Sequence, residues 1–440
     1  MGPTTAIAGS RRWAAWSALR SDRYLRNNAI YLTGSVVAGA FGYVFHFVSG
    51  RLLGPAGYGV VAAAIAAIYL LTLPSLIVQL VSARFASLAL AQRSPAQVGP
   101  LVRGLTLASL VFGSCVALVM IALAPVAARA LQLGDVRVVY VLAPSTLLGL
   151  VVSVNRGVMQ GLLRFGGLSV NVVVDTFSRV PAAATLILGG LGPLGGVAGV
   201  IAGPLLAYGH SLALLRGARS AGGGTQGAAA ATGEQTDLRM AEVARYAAPT
   251  AVAVIGVTFL FNADVVLAKH FLSAEQAGVY AAGSVLARVV YFLGITIATV
   301  MFPEVAARHA RDRKHYHVVD RSLAFLALIG IALTVVYTAL PGLVLLPYGS
   351  GFASVQPYLG PFAVALSLLA VANLLVNYFL SVNSPRFVIP LLGACLLEVG
   401  LILLFHGSVA QVLIMLLATT GALAGTLLVL YRLERRGREL

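Results

Sequence analysis

Five ionisable residues lie inside long apolar runs of this 440-residue chain: Asp175, Arg179, Asp264, Arg288 and Glu398. A charged side chain at the centre of a bilayer costs about 2.5–3.5 kcal/mol on insertion scales, so such residues turn toward a protein interior or a wet cavity. Asp175 and Arg179 are spaced i,i+4 and meet on one helix face. That spacing fits two readings, a self-neutralised pair or a guanidinium fork for phosphate oxygens that Asp175 holds in place when the site is empty. Arg288 has no acid within four positions. It is the best candidate for contacting an anionic head group, with pairing to Asp264 or Asp175 across helices, or snorkelling, as the alternatives. Arg156 and Arg164, with Asn155 and Gln160 nearby, flank the end of a fourth apolar run, and Arg26 adjoins the first. These three either capture an anion at an entrance or only fix topology. Asp264 and Glu398, with Thr419 or Thr420, offer oxygen ligands from three helices, a donor set suited to a hard cation.

The elements that carry these residues follow from composition. The chain is 59% hydrophobic and 10% charged, with a mean hydropathy of +0.92. Soluble chains carry about 25% charged residues, so a compact water-soluble monomer is excluded and the chain belongs in a bilayer. The net charge of +16 does not point to nucleic acid, because the basic residues punctuate apolar runs instead of clustering on a soluble domain. Only Lys269 and Lys314 are lysines, and neither follows a glycine before Ser or Thr, which excludes a P-loop and argues against ATP hydrolysis. Cys115 and Cys395 read as small buried hydrophobes. His309, His315 and His317 read as solvated residues of a basic loop, not a metal site. No cofactor is indicated.

Spans of about 20 apolar residues fall at 28–49, 60–82, 104–125, 138–158, 167–189, 194–215, 246–268, 279–302, 322–344, 357–380, 386–405 and 408–431. With twelve spans, 24 of the 30 basic residues fall on the side of the N-terminus and only Arg51, Arg129, Arg137 and Lys269 on the other. By the positive-inside rule both termini are cytoplasmic and the protein is a multi-pass protein of the cell membrane. The chain divides into a cytoplasmic amphipathic segment (1–27), a six-helix bundle (28–216), a flexible Gly/Ala linker (217–240), a second six-helix bundle (241–431) and a basic tail (432–440). Pro74, Pro144, Pro181, Pro204, Pro249 and Pro361 lie in or near spans as candidate kinks.

The halves echo each other. Leu53-Gly-Pro-Ala-Gly-Tyr-Gly59-Val-Val-Ala-Ala63 aligns with Leu272-Ser-Ala-Glu-Gln-Ala-Gly278-Val-Tyr-Ala-Ala282, and Arg164-Phe165 with Arg386-Phe387. Two bundles of six spans enter from the same side, which predicts an all-α polytopic fold of two parallel repeats around a central cavity. The stretch Arg51 to Gly59 resembles the loop after the first helix of polysaccharide-biosynthesis flippases. Asn262-Ala-Asp264 followed by Gly278-Val-Tyr-Ala-Ala, Gln160-Gly-Leu-Leu-Arg164-Phe165 and Met301-Phe-Pro303-Glu304 are also similar to that family. These are Wzx-type lipid-linked oligosaccharide flippases of the multidrug/oligosaccharidyl-lipid/polysaccharide exporter superfamily. The resemblance implies alternating-access transport of a polyprenyl-pyrophosphate oligosaccharide to the outer leaflet, contact with membrane lipids and other polysaccharide-assembly enzymes, and Na+ or H+ coupling at Asp264, Glu398, Thr419 and Thr420. The alternatives are a multidrug/cation antiporter of the same superfamily and, with weaker support because no loop is large, a membrane enzyme of the polysaccharide pathway.

Overall fold

The computed structural model of the protein describes residues 23–91, 98–220, 240–310 and 315–439. The tryptophan-bearing segment 1–22 and the linker residues 221–239 lie outside these. Lipid offers the backbone no hydrogen-bond partner, so apolar runs satisfy it internally as helices. Among the described residues, ten continuous helical stretches are long and apolar enough to cross a membrane. Two of them contain a backbone turn and divide into two spans each, which gives the expected twelve.

The first of these, Arg23–Leu71, turns at Gly54, whose φ of 65° is open to glycine and strained for other residues. It forms α1 (23–53) and the start of α2 (55–71), which resumes after Thr72 as Leu73–Ala91. Next come α3 (Val98–Ala122), α4 (Arg137–Gly161) and α5 (Phe165–Leu186). The second turn, through Gly190 and Gly192, leads into α6 (Gly192–Ser220). In the other half, α7 runs Met240–Leu260 and resumes as Ala263–Phe271. It is followed by α8 (Ala274–Ala310), α9 (Tyr316–Ala339), α10 (Gln356–Ser381), α11 (Val388–Leu404) and α12 (Val409–Glu439).

The helices continue through Pro144, Pro181, Pro204, Pro249 and Pro361, whereas Pro74 follows the break at Thr72; the chain also turns at Gly54, Gly190 and the Phe261–Asn262 step. His315 is not solvated. It occupies the N-cap position of α9 and stacks on Tyr316 and Tyr378, buried under the end of α10.

The repeat is visible in the packing. In the first half α4 packs on α2, α3 and α6, and in the second α10 packs on α8, α9 and α12. The turns after these two helices also match. Leu162, Leu163 and Arg164 donate to Val158, Gln160 and Met159, as Val382, Asn383 and Ser384 donate to Tyr378, Leu380 and Phe379. Leu163 and Asn383 both take positive φ there, 57° and 53°.

An even number of spans puts both termini at one end, here called the terminal end, and the Gly54 turn at the opposite, distal end. The halves meet toward the distal end. Gly59 of α2 lies against Gly278 of α8, where a side chain on Gly59 would meet the Gly278 nitrogen at 2.9 Å. The two aligned glycines thus touch each other, as expected where a two-fold axis relates the repeats. Gln132 donates to the His270 carbonyl at 2.7 Å, and His270 Nδ1 contacts the Ala130 carbonyl. Tyr58, Tyr348 and Phe352 close an aromatic contact beside them.

Candidate functional site

The structure gathers the charged candidates into three groups. In the first half, Asp175 of α5 accepts from Arg179 Nη2 at 2.6 Å and Nε at 3.0 Å on one oxygen, and from Arg156 Nη2 at 2.7 Å on the other. Arg156 of α4 is also fixed through Nε to Asn171 Oδ1 at 2.8 Å, and Asn171 donates to the Ala207 carbonyl of α6. One carboxylate therefore orders two guanidinia, and the centre carries a net positive charge. The i,i+4 pair expected from spacing forms, but Arg156 joins it from another helix. Gly203 of α6 backs the pair, because a Cβ there would collide with Asp175 Oδ1 and Arg179 Nε. Close approach of small residues is how membrane helices pack without a hydrophobic drive.

Arg164 lies elsewhere. Its Nη1 donates to the Leu214 carbonyl of α6 at 2.9 Å in an exposed position, so it does not join Arg156 in one entrance site. The side chain of Arg26 lies outside the described residues.

Arg288 of α8 is 6% exposed. Its Nη2 donates to the Phe261 carbonyl at 2.7 Å, and its guanidinium stacks 4.3 Å from the Phe261 ring centroid. That carbonyl is free because α7 breaks at Phe261–Asn262, so the break supplies the anchor. Neither Asp264 nor Asp175 forms an ion pair with Arg288, and its Nε has no hydrogen-bond partner among the described residues. Its charge bears on residues of both halves, including Asp264, Tyr291, Tyr43, Tyr58 and His46.

The third group lies in the second half. Asp264 begins the second segment of α7 and is buried; its Oδ2 accepts from Tyr280 at 3.1 Å and Ser284 at 3.2 Å. Its Oδ1 has no side-chain partner among the described residues. Glu398 of α11 is 0% exposed, and both its oxygens lack partners among them. The two carboxylates act on each other electrostatically. On α12 the buried Thr419 hydroxyl is also unpartnered, whereas Thr420 donates to the Leu416 carbonyl of its own helix at 2.8 Å. Unmatched buried oxygens facing like charge suit a cation, and no charged side chain among the described residues of this half forms an ion pair with them.

Several residues escaped the reading of the sequence. Lys269, assigned to a loop, is 1% exposed with no hydrogen-bond partner for Nζ among the described residues. Gly203 carries no signal in a glycine-rich helix. His46, Tyr58 and Tyr348 resemble ordinary interface side chains until the fold joins them.

Comparison with known proteins agrees with this architecture. No curated protein matches the chain significantly. Among solved structures, an inward-facing conformation of a multidrug resistance MATE family transporter of the MOP superfamily is similar, with a TM-score of 0.71 and 12% identity over 91% of this chain and 97% of that one. An outward-facing conformation of a multidrug resistance MATE family transporter gives a TM-score of 0.57 and 15% identity over 94% and 96%. A MOP superfamily transporter from Pyrococcus furiosus Vc1, described as having a binding pocket of reverse polarity, gives 0.59 and 14% over 94% and 96%. At such identities the likeness is one of fold, a MATE-like all-α bundle that crosses the membrane many times. The family described as polysaccharide biosynthesis protein matches residues 24–307, more than half of the sequence, and the chain belongs to that family.

Proposed function

We propose that the protein moves a polyprenyl-pyrophosphate-linked oligosaccharide from the inner to the outer leaflet of the cytoplasmic membrane by alternating access. The observation that carries this reading is Arg288: a buried guanidinium near the junction of the halves, anchored on a backbone carbonyl and with no acid paired to it among the described residues. A phosphate oxygen would complete its fork. The net positive Arg156–Asp175–Arg179 centre supplies the matching charge from the other half. In this reading the terminal end is cytoplasmic, as the arginine distribution implies, and the pyrophosphate enters there while the distal contacts stay closed. The inside-negative potential assists the outward anion by about 2.3 kcal/mol per charge per 100 mV. Asp264, Glu398 and Thr419 take up the coupling cation, Na+ or H+.

The buried acids Asp264 and Glu398, which form no ion pair among the described residues, also favour a second reading, an antiporter of cationic drugs. Deleting the gene and extracting polyprenyl lipids separates the two. Accumulation of a pyrophosphate-linked glycan with loss of a surface polymer supports the flippase; unchanged lipids with new sensitivity to cationic drugs supports the antiporter. In the complemented strain, Arg288→Ala should lower transport by about 10–100-fold at unchanged expression, the value of a hydrogen bond to a charged group. Wild-type polymer in that strain would remove Arg288 from the site.

A further inference from the structure

The repeat places an arginine after α4 and after α10 and gives the two different partners. Arg164 closes on α6, its Nη1 donating to the Leu214 carbonyl at 2.9 Å. Arg386 reaches the corresponding stretch of α12 and meets a carboxylate there, with Nη1 3.6 Å from Glu434 Oε2. That separation is too long for a hydrogen bond, whereas every other ion pair among the described residues is 2.6–2.8 Å. Beside the loose pair lies a cavity of about 630 Å³, lined by the 382–386 turn, Leu433 and Glu434. The Glu434 side chain is 7% exposed and that of Arg386 59%. The acid is thus set in the wall, and the base keeps room for a second partner. The cavity opens at the terminal end, beside an apolar flank. Ile389, Leu392 and Leu396 are exposed along one face of α11, and Val429 and Leu433 are exposed one turn apart on α12. In a chain that spans a bilayer, such side chains meet acyl chains. Leu433 belongs both to this flank and to the cavity.

We propose that this cavity binds the head group of a phospholipid carrying a phosphate and a primary ammonium, of the phosphatidylethanolamine class, with the phosphate on Arg386 and the ammonium on Glu434. A guanidinium matches phosphate oxygens with a fork of donors, and Glu434 does not take up that fork at 3.6 Å. An ammonium brings three donors for the carboxylate. A zwitterion placed between the two residues completes both contacts and leaves the local charge unchanged. An anionic head group completes Arg386 alone and faces Glu434 as a like charge, and a quaternary ammonium has no N–H to donate. Asn383 and Ser384, also in the wall, add donors for the remaining phosphate oxygens. The apolar flank of α11 and α12 gives the acyl chains a track, which favours a lipid over a soluble phosphate as the occupant. The site is built from one half alone, so the inference goes beyond the transport reading and does not rest on it.

The test is native mass spectrometry of the purified protein, titrated in detergent with palmitoyl-oleoyl phosphatidylethanolamine, phosphatidylcholine or phosphatidylglycerol. The ethanolamine lipid should fill one site about tenfold more tightly than either of the others. Arg386→Ala should weaken its binding by about 10–100-fold, the value of a hydrogen bond to a charged group. Because Arg386 is exposed, that variant should keep its fold, and it carries the test even where Glu434→Gln does not fold. Glu434→Gln should retain phospholipid binding and lose the preference for ethanolamine over choline. Equal affinities for the three lipids in the wild type, or tighter binding of phosphatidylglycerol, would overturn the proposal. So would unchanged ethanolamine-lipid binding in Arg386→Ala. Water-soluble O-phosphoethanolamine binding as tightly as the lipid would overturn the lipid as the occupant.

Discussion

The two halves share one helix arrangement and treat their buried acids in opposite ways. Asp175 on α5 and Glu398 on α11 occupy corresponding helices, ten residues after Phe165 and eleven after Phe387. Asp175 has both oxygens filled by Arg156 and Arg179. Glu398 has neither filled, and its neighbour across the bundle is another acid, Asp264. The repeat thus fixes where an acid sits, while the residues that differ between repeats fix its task. In the first half the carboxylate is a brace that holds two cations in place. In the second it has no partner side chain among the described residues, which leaves it open to a cation in the proposed function.

This contrast predicts unequal responses to the same chemical change. Asp175→Asn leaves two largely buried guanidinia without their shared acid. Removing one partner of a buried pair costs about 3–5 kcal/mol, so this variant should show the largest drop in melting temperature in detergent. Glu398→Gln deletes no formed hydrogen bond, and its stability should change by no more than about 1 kcal/mol. Equal losses in both would break the comparison. Gly203→Ala comes next. Its methyl group would push against Asp175 Oδ1 and Arg179 Nε, and overpacking costs typically about 1–3 kcal/mol. The variant should insert and fold but lose transport, and normal transport would show that the geometry of the Asp175 centre is not needed.

How much of this was legible depended on the range of the signal. Charges in apolar runs betray themselves, so Asp175, Arg179, Asp264, Arg288 and Glu398 were readable, as was the i,i+4 pair. Twelve spans were readable because arginine marks one side of each boundary. The joining of Arg156 to Asp175 was not, because it spans two helices and Arg156 looks like a boundary residue. Arg164 differs from it only in tertiary placement, donating to Leu214 instead. The Tyr58–Tyr348 bond links positions 290 residues apart, and no local pattern encodes such a pairing. Prolines alone did not mark the breaks: the helix restarts at Leu73 just before Pro74, but it runs on through five others because a membrane helix packed among neighbours tolerates them, while Gly54 turned the chain through a conformation that the sequence permits without demanding.

The finest test separates two adjacent threonines. Thr420 spends its hydroxyl on the Leu416 carbonyl of its own helix, and Thr419 has a buried hydroxyl with no partner among the described residues. If the second half takes up a sodium ion, Thr419 can lend an oxygen at little cost, whereas Thr420 must first give up a bond. Valine matches threonine in shape and lacks only the hydroxyl, so Thr419→Val and Thr420→Val differ in that one respect. The rise in melting temperature on replacing KCl with NaCl reads cation binding directly. It should persist in Thr420→Val, vanish in Glu398→Gln, and weaken in Thr419→Val by the worth of one neutral ligand, about 1 kcal/mol or some fivefold in affinity. A sodium response unchanged in Thr419→Val would leave Asp264 and Glu398 to act without α12. No response in the wild type would instead show that the three free oxygens of Asp264 and Glu398 do not hold sodium and would leave the proton as the coupling ion.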